Sequence, residues 1–353
     1  MVSPSASAGR AAAPRRRWVR RGLGALLALV VLAVSVCGWV IHQNSYDLRE
    51  EQVTITGGRQ PLKGVLAWPK SGRGSYGLVV FVHGDGPIDA TDKTFYRPIW
   101  EGFAKAGYAS LSWNKPGVGG APGNWLEQTM EDRAAETVAA VAWAKRRPAI
   151  DPRRIGLWGA SQAGWVLPKV AVRLPELRFA IAVSPAVNWM QQGRYNLLAE
   201  LKEQNASPAK VRAELARRDK TLELLRQDAS FEQYKAAIGD PRGLTPDRWG
   251  FITKNYTSDA SRDLAAMRVP VLLVLAGHDR NVDVADTEAG YRRALRTPGQ
   301  LQIRHYPGAA HALVRKGIED SKPKMLVVAV AAPRSLFAEG FLDDQRRYLQ
   351  QVR

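Results

Sequence analysis

Short apolar, β-branched runs that alternate with helix-like stretches constrain this chain more than any other feature. Runs at 77–82, 108–113, 154–158, 269–275 and 301–305 read as strands, with helices expected at 94–106 and 130–146 between the early ones. A strand that is apolar along its whole length must be covered on both faces, so the pattern predicts an α/β fold: a mostly parallel sheet with helices on both faces. A hairpin at 52–68, turning at Gly57-Gly58, opens the domain, and a helix over 335–351 closes it. Between about 189 and 267 the alternation stops. Charged, leucine-spaced segments such as 210–226 replace it, which predicts an inserted helical cap.

The N-terminus is organised differently from the rest. Arg10, Arg15, Arg16, Arg17, Arg20 and Arg21 precede the first acid, Asp47, and supply six of the eighteen excess positive charges. Residues 1–21 therefore read as a disordered basic tail. Residues 22–41 form an uncharged run of 20, about the length of helix that crosses a bilayer. Basic residues before the run and few after it predict a single-pass anchor with a cytoplasmic N-terminus and an extracytoplasmic domain over 52–353. The alternative is a cleaved signal peptide and a secreted domain. The run exceeds the usual signal-peptide core, and Ser35-Val36-Cys37 only imitates a cleavage site. Cys37 is the sole cysteine, so the folded domain can hold no disulfide. The remaining charge is dispersed, without the basic and aromatic stripe of a nucleic-acid module, so nucleic acid is not an expected partner.

The chemistry concentrates in four places. Gly159-Ala160-Ser161-Gln162-Ala163-Gly164 follows one predicted strand and opens a helix, where a serine sits exposed on a sharp turn. A serine hydroxyl is a weak nucleophile until a base takes its proton and an acid orients that base. Asp279, after the strand at 269–275, and His311, in Gly308-Ala309-Ala310-His311 after the next, supply the acid and the base. The fourth part, a pair of backbone N–H groups for a developing oxyanion, falls to Asp85 in His83-Gly84-Asp85-Gly86 and to Gln162.

These motifs, in the order Ser161, Asp279, His311, resemble the α/β-hydrolases of the exported-esterase, dienelactone-hydrolase-like and serine-aminopeptidase-like groups, over about 52–351. The resemblance implies a central sheet of about eight strands, acyl transfer through an acyl-serine, and a variable cap over the substrate pocket. One departure is Ala163, where the family's turn usually carries glycine; Gly164 follows it.

Each residue has a plainer reading beside this one. Ser161 fits a helix N-cap, His311 a surface histidine, and Asp283, four residues after Asp279, competes for the acid's role or caps the next helix. His83 reads as structural. Trp165 and Trp189 are candidates for an acyl pocket or for core. No metal-ligand spacing appears, and no cofactor is implied. The expected activity is hydrolysis of a carboxylic ester on a small-molecule acyl substrate. A peptidase, amidase or thioesterase on the same triad remains open, as does a non-catalytic anchored binding protein with an idle triad.

Overall fold

A computed structural model describes residues 15–72, 74–239 and 243–352, with side chains from residue 23 onward. Eight strands form one sheet: β1 (Leu48–Ile55), β2 (Leu62–Pro69), β3 (Tyr76–Val82), β4 (Tyr108–Trp113), β5 (Ile150–Ala160), β6 (Ala180–Val183), β7 (Val271–His278) and β8 (Leu301–Ala310). Their order is β1-β2-β4-β3-β5-β6-β7-β8. Pairing is antiparallel from β1 through β2 to β4 and parallel from β4 to β8.

Side chains alternate across the pleat, so each strand feeds two cores. Leu78 and Val80 of β3 face one core, which the helices Met130–Lys145 and Leu167–Arg173 cover. Val79 and Phe81 face the other, under Arg97–Lys105 and Phe341–Gln351. Thr129 and Asp132 form a capping box that starts the helix Met130–Lys145 and fixes its approach to the sheet.

This topology dictates where a site forms. From β3 the chain steps sideways to β4, then crosses back to β5 on the other side of β3, so the winding direction reverses between β3 and β5. Loops leaving the carboxyl ends of two such strands diverge and leave a crevice. Here those loops begin with His83 and Ser161.

Between β6 and β7 run five helices, Trp189–Glu203, Pro208–Arg226, Phe231–Ile238, Pro246–Asn255 and Ser261–Ala266. Leu224, Leu225, Tyr234 and Trp249 give them a small core of their own. At the N-terminus the helix Arg15–Gln43 begins inside the expected basic tail, whose residues 1–14 lie outside the described ones. Its segment Leu23–Gln43, with mean hydropathy 2.6, is long and apolar enough to cross a membrane, and none of it is buried against protein.

Two helix starts differ from expectation. The helix expected from residue 94 starts at Arg97, because Asp92, Lys93 and Thr94 have φ of 47°, 50° and 78°, left-handed values that no right-handed helix admits. The closing helix starts at Phe341 rather than 335, after Gly340 at φ 80°. Ahead of it lies a helix the sequence pattern did not announce, Lys322–Ala331.

Candidate active site

Ser161 follows β5 directly and has φ 55°, a left-handed conformation that costs a non-glycine residue about 1–2 kcal/mol. Its surroundings hold it there. A Cβ on Gly159 would lie 2.6 Å from the Ala163 Cβ, and a Cβ on Gly164 would collide with the Ala186 backbone, whose N–H donates to the Ser161 carbonyl at 3.0 Å. The elbow therefore needs glycine at 159 and 164. The Ala163 methyl fills the space that Gly159 leaves open, which accounts for the departure at 163 in packing terms.

Across the crevice, the carbonyl ends of β7 and β8 bring Asp279 and His311 together. His311 Nδ1 lies 2.8 Å from Asp279 Oδ2 and 2.9 Å from Oδ1. Asp279 Oδ1 also accepts from the backbone N–H groups of Asn281 and Val282, at 2.8 and 2.9 Å. The acid side chain is 1% exposed, so its charge is held by fixed donors rather than by water. An Nδ1–H donated to a carboxylate leaves Nε2 as the accepting nitrogen, the tautomer a general base requires. Asp283 is engaged elsewhere: it caps the helix Val284–Ala294 through the Asp286 N–H.

The loop after β3 is held by three cations, of which Lys115 and Arg133 are buried. Lys115 Nζ donates to the Gly84 and Gly86 carbonyls, at 2.6 and 2.9 Å, and lies 4.7 Å from the centre of the Trp125 ring. In a planar trans peptide the C=O and the following N–H point in opposite directions. Fixing the Gly84 carbonyl on Lys115 therefore turns the Asp85 N–H the other way. Arg133, buried at 6% exposure, donates from Nη1 to the Gln162 side-chain oxygen at 2.6 Å and from Nη2 to the His83 carbonyl. One guanidinium thus ties together the two segments expected to supply the N–H pair. The third cation, Arg248 from the helix Pro246–Asn255, grips the Asp85 carboxylate with two bonds, at 2.9 and 2.6 Å, and Gln162 Nε2 donates to the same group at 3.0 Å. Although partial desolvation raises it, the Arg248 bonds, with Lys115 and the Gly86 N–H, hold the Asp85 carboxyl below its ordinary value.

These charges shape their neighbours. Burial, and then the charge of Lys115, lower the pKa of His83 to about 3, so its ring is neutral. Nε2–H donates to the Trp113 carbonyl, and Nδ1 accepts from the Tyr96 hydroxyl at 3.0 Å. Burial and Arg133 likewise push Lys115 well below the ordinary lysine value.

The helices between β6 and β7 touch both halves of this arrangement. Tyr195 donates to the Asp279 carbonyl at 2.8 Å, and Arg248 holds Asp85. Trp165, four residues after Ser161, is buried and stacks on Trp189 with ring centres 4.9 Å apart. Trp189, with Met190, Leu197, Leu225 and Ile252, lines a cavity of about 290 Å³ within these helices. Trp165, whose Nε1 donates to the Val187 carbonyl at 2.9 Å, is not among that cavity's lining residues. Among the described residues, no group of three or more His, Cys, Asp or Glu side chains is placed to hold a metal ion.

Sequence reasoning missed Arg133, Lys115, Arg248 and Tyr195. Arg133 alone left a signal, as a charge on the buried stripe of Met130, Ala134, Thr137 and Val141.

The family model described as serine aminopeptidase, S33, matches residues 75–316. No curated protein matches the sequence. Among solved structures, an esterase of Pyrococcus furiosus aligns with TM-score 0.54 at 15% identity, covering 86% of this chain and 90% of that one. A putative dienelactone hydrolase from Klebsiella pneumoniae aligns with TM-score 0.52 at 15% identity, covering 86% and 98%. An esterase of Pyrobaculum calidifontis aligns with TM-score 0.51 at 18% identity, covering 90% and 88%. At these identities the likeness is one of fold.

Proposed function

The chain belongs to the hydrolase family described as serine aminopeptidase, S33, and on that premise we propose that it cleaves carboxylic esters through an acyl-serine intermediate on Ser161. The observation that carries this reading is the strained Ser161 turn at the switch point of the sheet, facing the β3 loop, together with a histidine locked on a buried carboxylate.

In the proposed reaction, His311 Nε2 takes the Ser161 proton as Oγ bonds to the ester carbonyl carbon. The resulting oxyanion accepts hydrogen bonds from the Asp85 and Gln162 N–H groups. Collapse breaks the bond to the alkoxy oxygen, which takes the proton from His311. Water, deprotonated by the same nitrogen, then releases the acid and restores Ser161. Asp279 holds the imidazole and stabilises its charged form. The five described helices between β6 and β7, roughly residues 189–267, serve as the cap that shapes the acyl site.

The segment 22–41 is proposed as a retained anchor, with the N-terminus cytoplasmic and the domain of residues 52–353 on the extracytoplasmic side. The apolar length of Leu23–Gln43, beyond the usual signal-peptide core, favours retention over cleavage. The test of activity is hydrolysis of p-nitrophenyl esters, acetate to laurate, by the full chain in detergent beside Ser161→Ala. We expect turnover by the first and none by the second. Turnover of aminoacyl amides alone would replace the ester reading with the peptidase one.

A further inference from the structure

The helix Lys322–Ala331 has apolar residues on the side that should be polar. From Met325 to Ala332 it carries no polar side chain. Met325, Val328 and Ala329 pack inward on the core, while Leu326, Val327 and Val330 are 67%, 62% and 49% exposed. A surface helix in water keeps a polar outer face, because each exposed aliphatic side chain forgoes burial. Among the described residues, nothing covers these three.

Its position says what does. The helix ends against the outer end of the N-terminal helix. Trp39 Nε1 donates to the Ala331 carbonyl at 2.8 Å, and Asn44 Nδ2 donates to the Val330 carbonyl at 2.7 Å. Arg334, just beyond, donates to the Gln43 carbonyl at 2.6 Å and to the Ser45 carbonyl at 2.8 Å, and pairs with Glu101 of the domain. Those bonds fix its depth. Trp39 lies four residues inside the end of the apolar span at Gln43, about 6 Å along a helix that rises about 1.5 Å per residue. Helices that lie in a membrane interface bury their apolar face about 5–10 Å. Tryptophan is itself a residue of the bilayer interface, and exposed Lys322 and Lys324, at the other end of the helix, suit anionic headgroups.

We propose that Lys322–Ala331 is a second membrane element, lying in the outer leaflet beside the anchor with Leu326, Val327 and Val330 among the acyl chains. The proposal rests on the reading of Leu23–Gln43 as a membrane-spanning helix. Its consequence concerns the active site. Val314 pairs with Phe337, the Arg315 N–H donates to the Leu336 carbonyl, and the Ala338 N–H donates to the Leu313 carbonyl, so the chain on either side of this helix is clamped to the loop that begins with His311. Seating the helix therefore fixes the orientation of the catalytic face to the bilayer, where a flexible tether would leave it free.

The test uses the full chain with Cys37→Ser, which removes the single cysteine, and one new cysteine at a time carrying an environment-sensitive fluorophore. Val327→Cys probes the helix, Leu326→Cys repeats it, Val31→Cys probes the anchor, and Lys235→Cys, in the cap, is the aqueous reference. Each protein, checked for ester hydrolysis, is placed in phosphatidylcholine–phosphatidylglycerol vesicles with and without doxyl-labelled lipid. We expect the probes at 327 and 326 to be blue-shifted and to lose as large a share of their emission to the doxyl lipid as the probe at 31, while the probe at 235 keeps its emission. Quenching at 31 with none at 326 and 327 would overturn the proposal and leave the anchor standing. Blue-shifted but unquenched probes at 326 and 327 would mean that a second copy of the chain covers the face, which also overturns it. Absence of quenching at 31 would remove the anchor, and the proposal with it.

Discussion

The two loops that face each other at the switch point are built by opposite means. The Ser161 turn is made from its own neighbours: Gly159, Ala163 and Gly164 are small because the backbone doubles back on itself. The His83–Gly86 loop is held from a distance, with Lys115 and Arg133 under its carbonyls and Arg248 reaching down from the helices above. A locally built turn stores strain in one residue and depends on sterics. A loop held by remote cations depends on buried charge, and its position responds to any change in the elements that carry those charges. The same contrast separates what holds the proposed proton-transfer pair, a short bond between His311 and a backbone-solvated Asp279, from what aims the proposed oxyanion donors.

Substitutions on either side of this contrast sharpen it. The largest effect is expected at Asp279→Asn, which keeps the shape but reverses the preferred tautomer of His311. Loss of kcat by about 10⁴-fold is expected, the size seen when the equivalent carboxylate is neutralised in serine proteases. Asp283→Asn, which alters only a helix cap, should leave kcat within a few fold. Equal losses at 279 and 283 would break the assignment of the acid.

Next in size is Arg133→Met. The hydroxyl, base and acid stay in place, but the link between Gln162 and the His83 carbonyl is lost, and misplacement of the donors by about 1 Å lowers kcat by about 10²-fold. Since the defect lies in oxyanion stabilisation, kcat should fall with KM little changed, and Arg133→Lys should recover part of it. A fall in thermal stability with kcat preserved would make Arg133 a packing residue only.

The smallest effect is on stability and depends on pH. The folded His83 ring stays neutral to about pH 3, whereas an unfolded histidine takes up a proton near pH 6.5. Its contribution is therefore fully present above about pH 6.5 and drains away as pH falls toward 3, at up to about 1.4 kcal/mol per unit from this group. Urea unfolding of the full chain in detergent at pH 7, 6 and 5 should show that slope, and His83→Gln, whose amide can both donate and accept, should lose one proton's worth of it.

The contrast also explains what the sequence disclosed. The apolar runs made most of the strands and the α/β layering readable, because burial on two faces leaves a continuous signature; β6, four residues long, went unread. Ser161, Asp279 and His311 each stand at a strand end within a short motif, so their spacing along the chain carried the roles proposed for them. Lys115, Arg133 and Arg248 come from three separate segments and meet only in the folded molecule. The helix Lys322–Ala331 went unread for a related reason: apolar on both sides, it has no period to distinguish it from a buried strand. The false start at 94 came from the left-handed residues 92–94, which Asp89 holds by accepting from the Thr91 and Lys93 N–H groups, a turn that propensity does not reveal.

The claim on which the account turns is that Ser161 is an activated nucleophile. Exposure of the full chain to a fluorophosphonate, followed by peptide mass spectrometry, tests it directly. The account predicts one phosphonyl group per chain, on Ser161, and none on Ser161→Ala or after prior denaturation; a native protein that activates no serine, or that carries the label on another one, would contradict it.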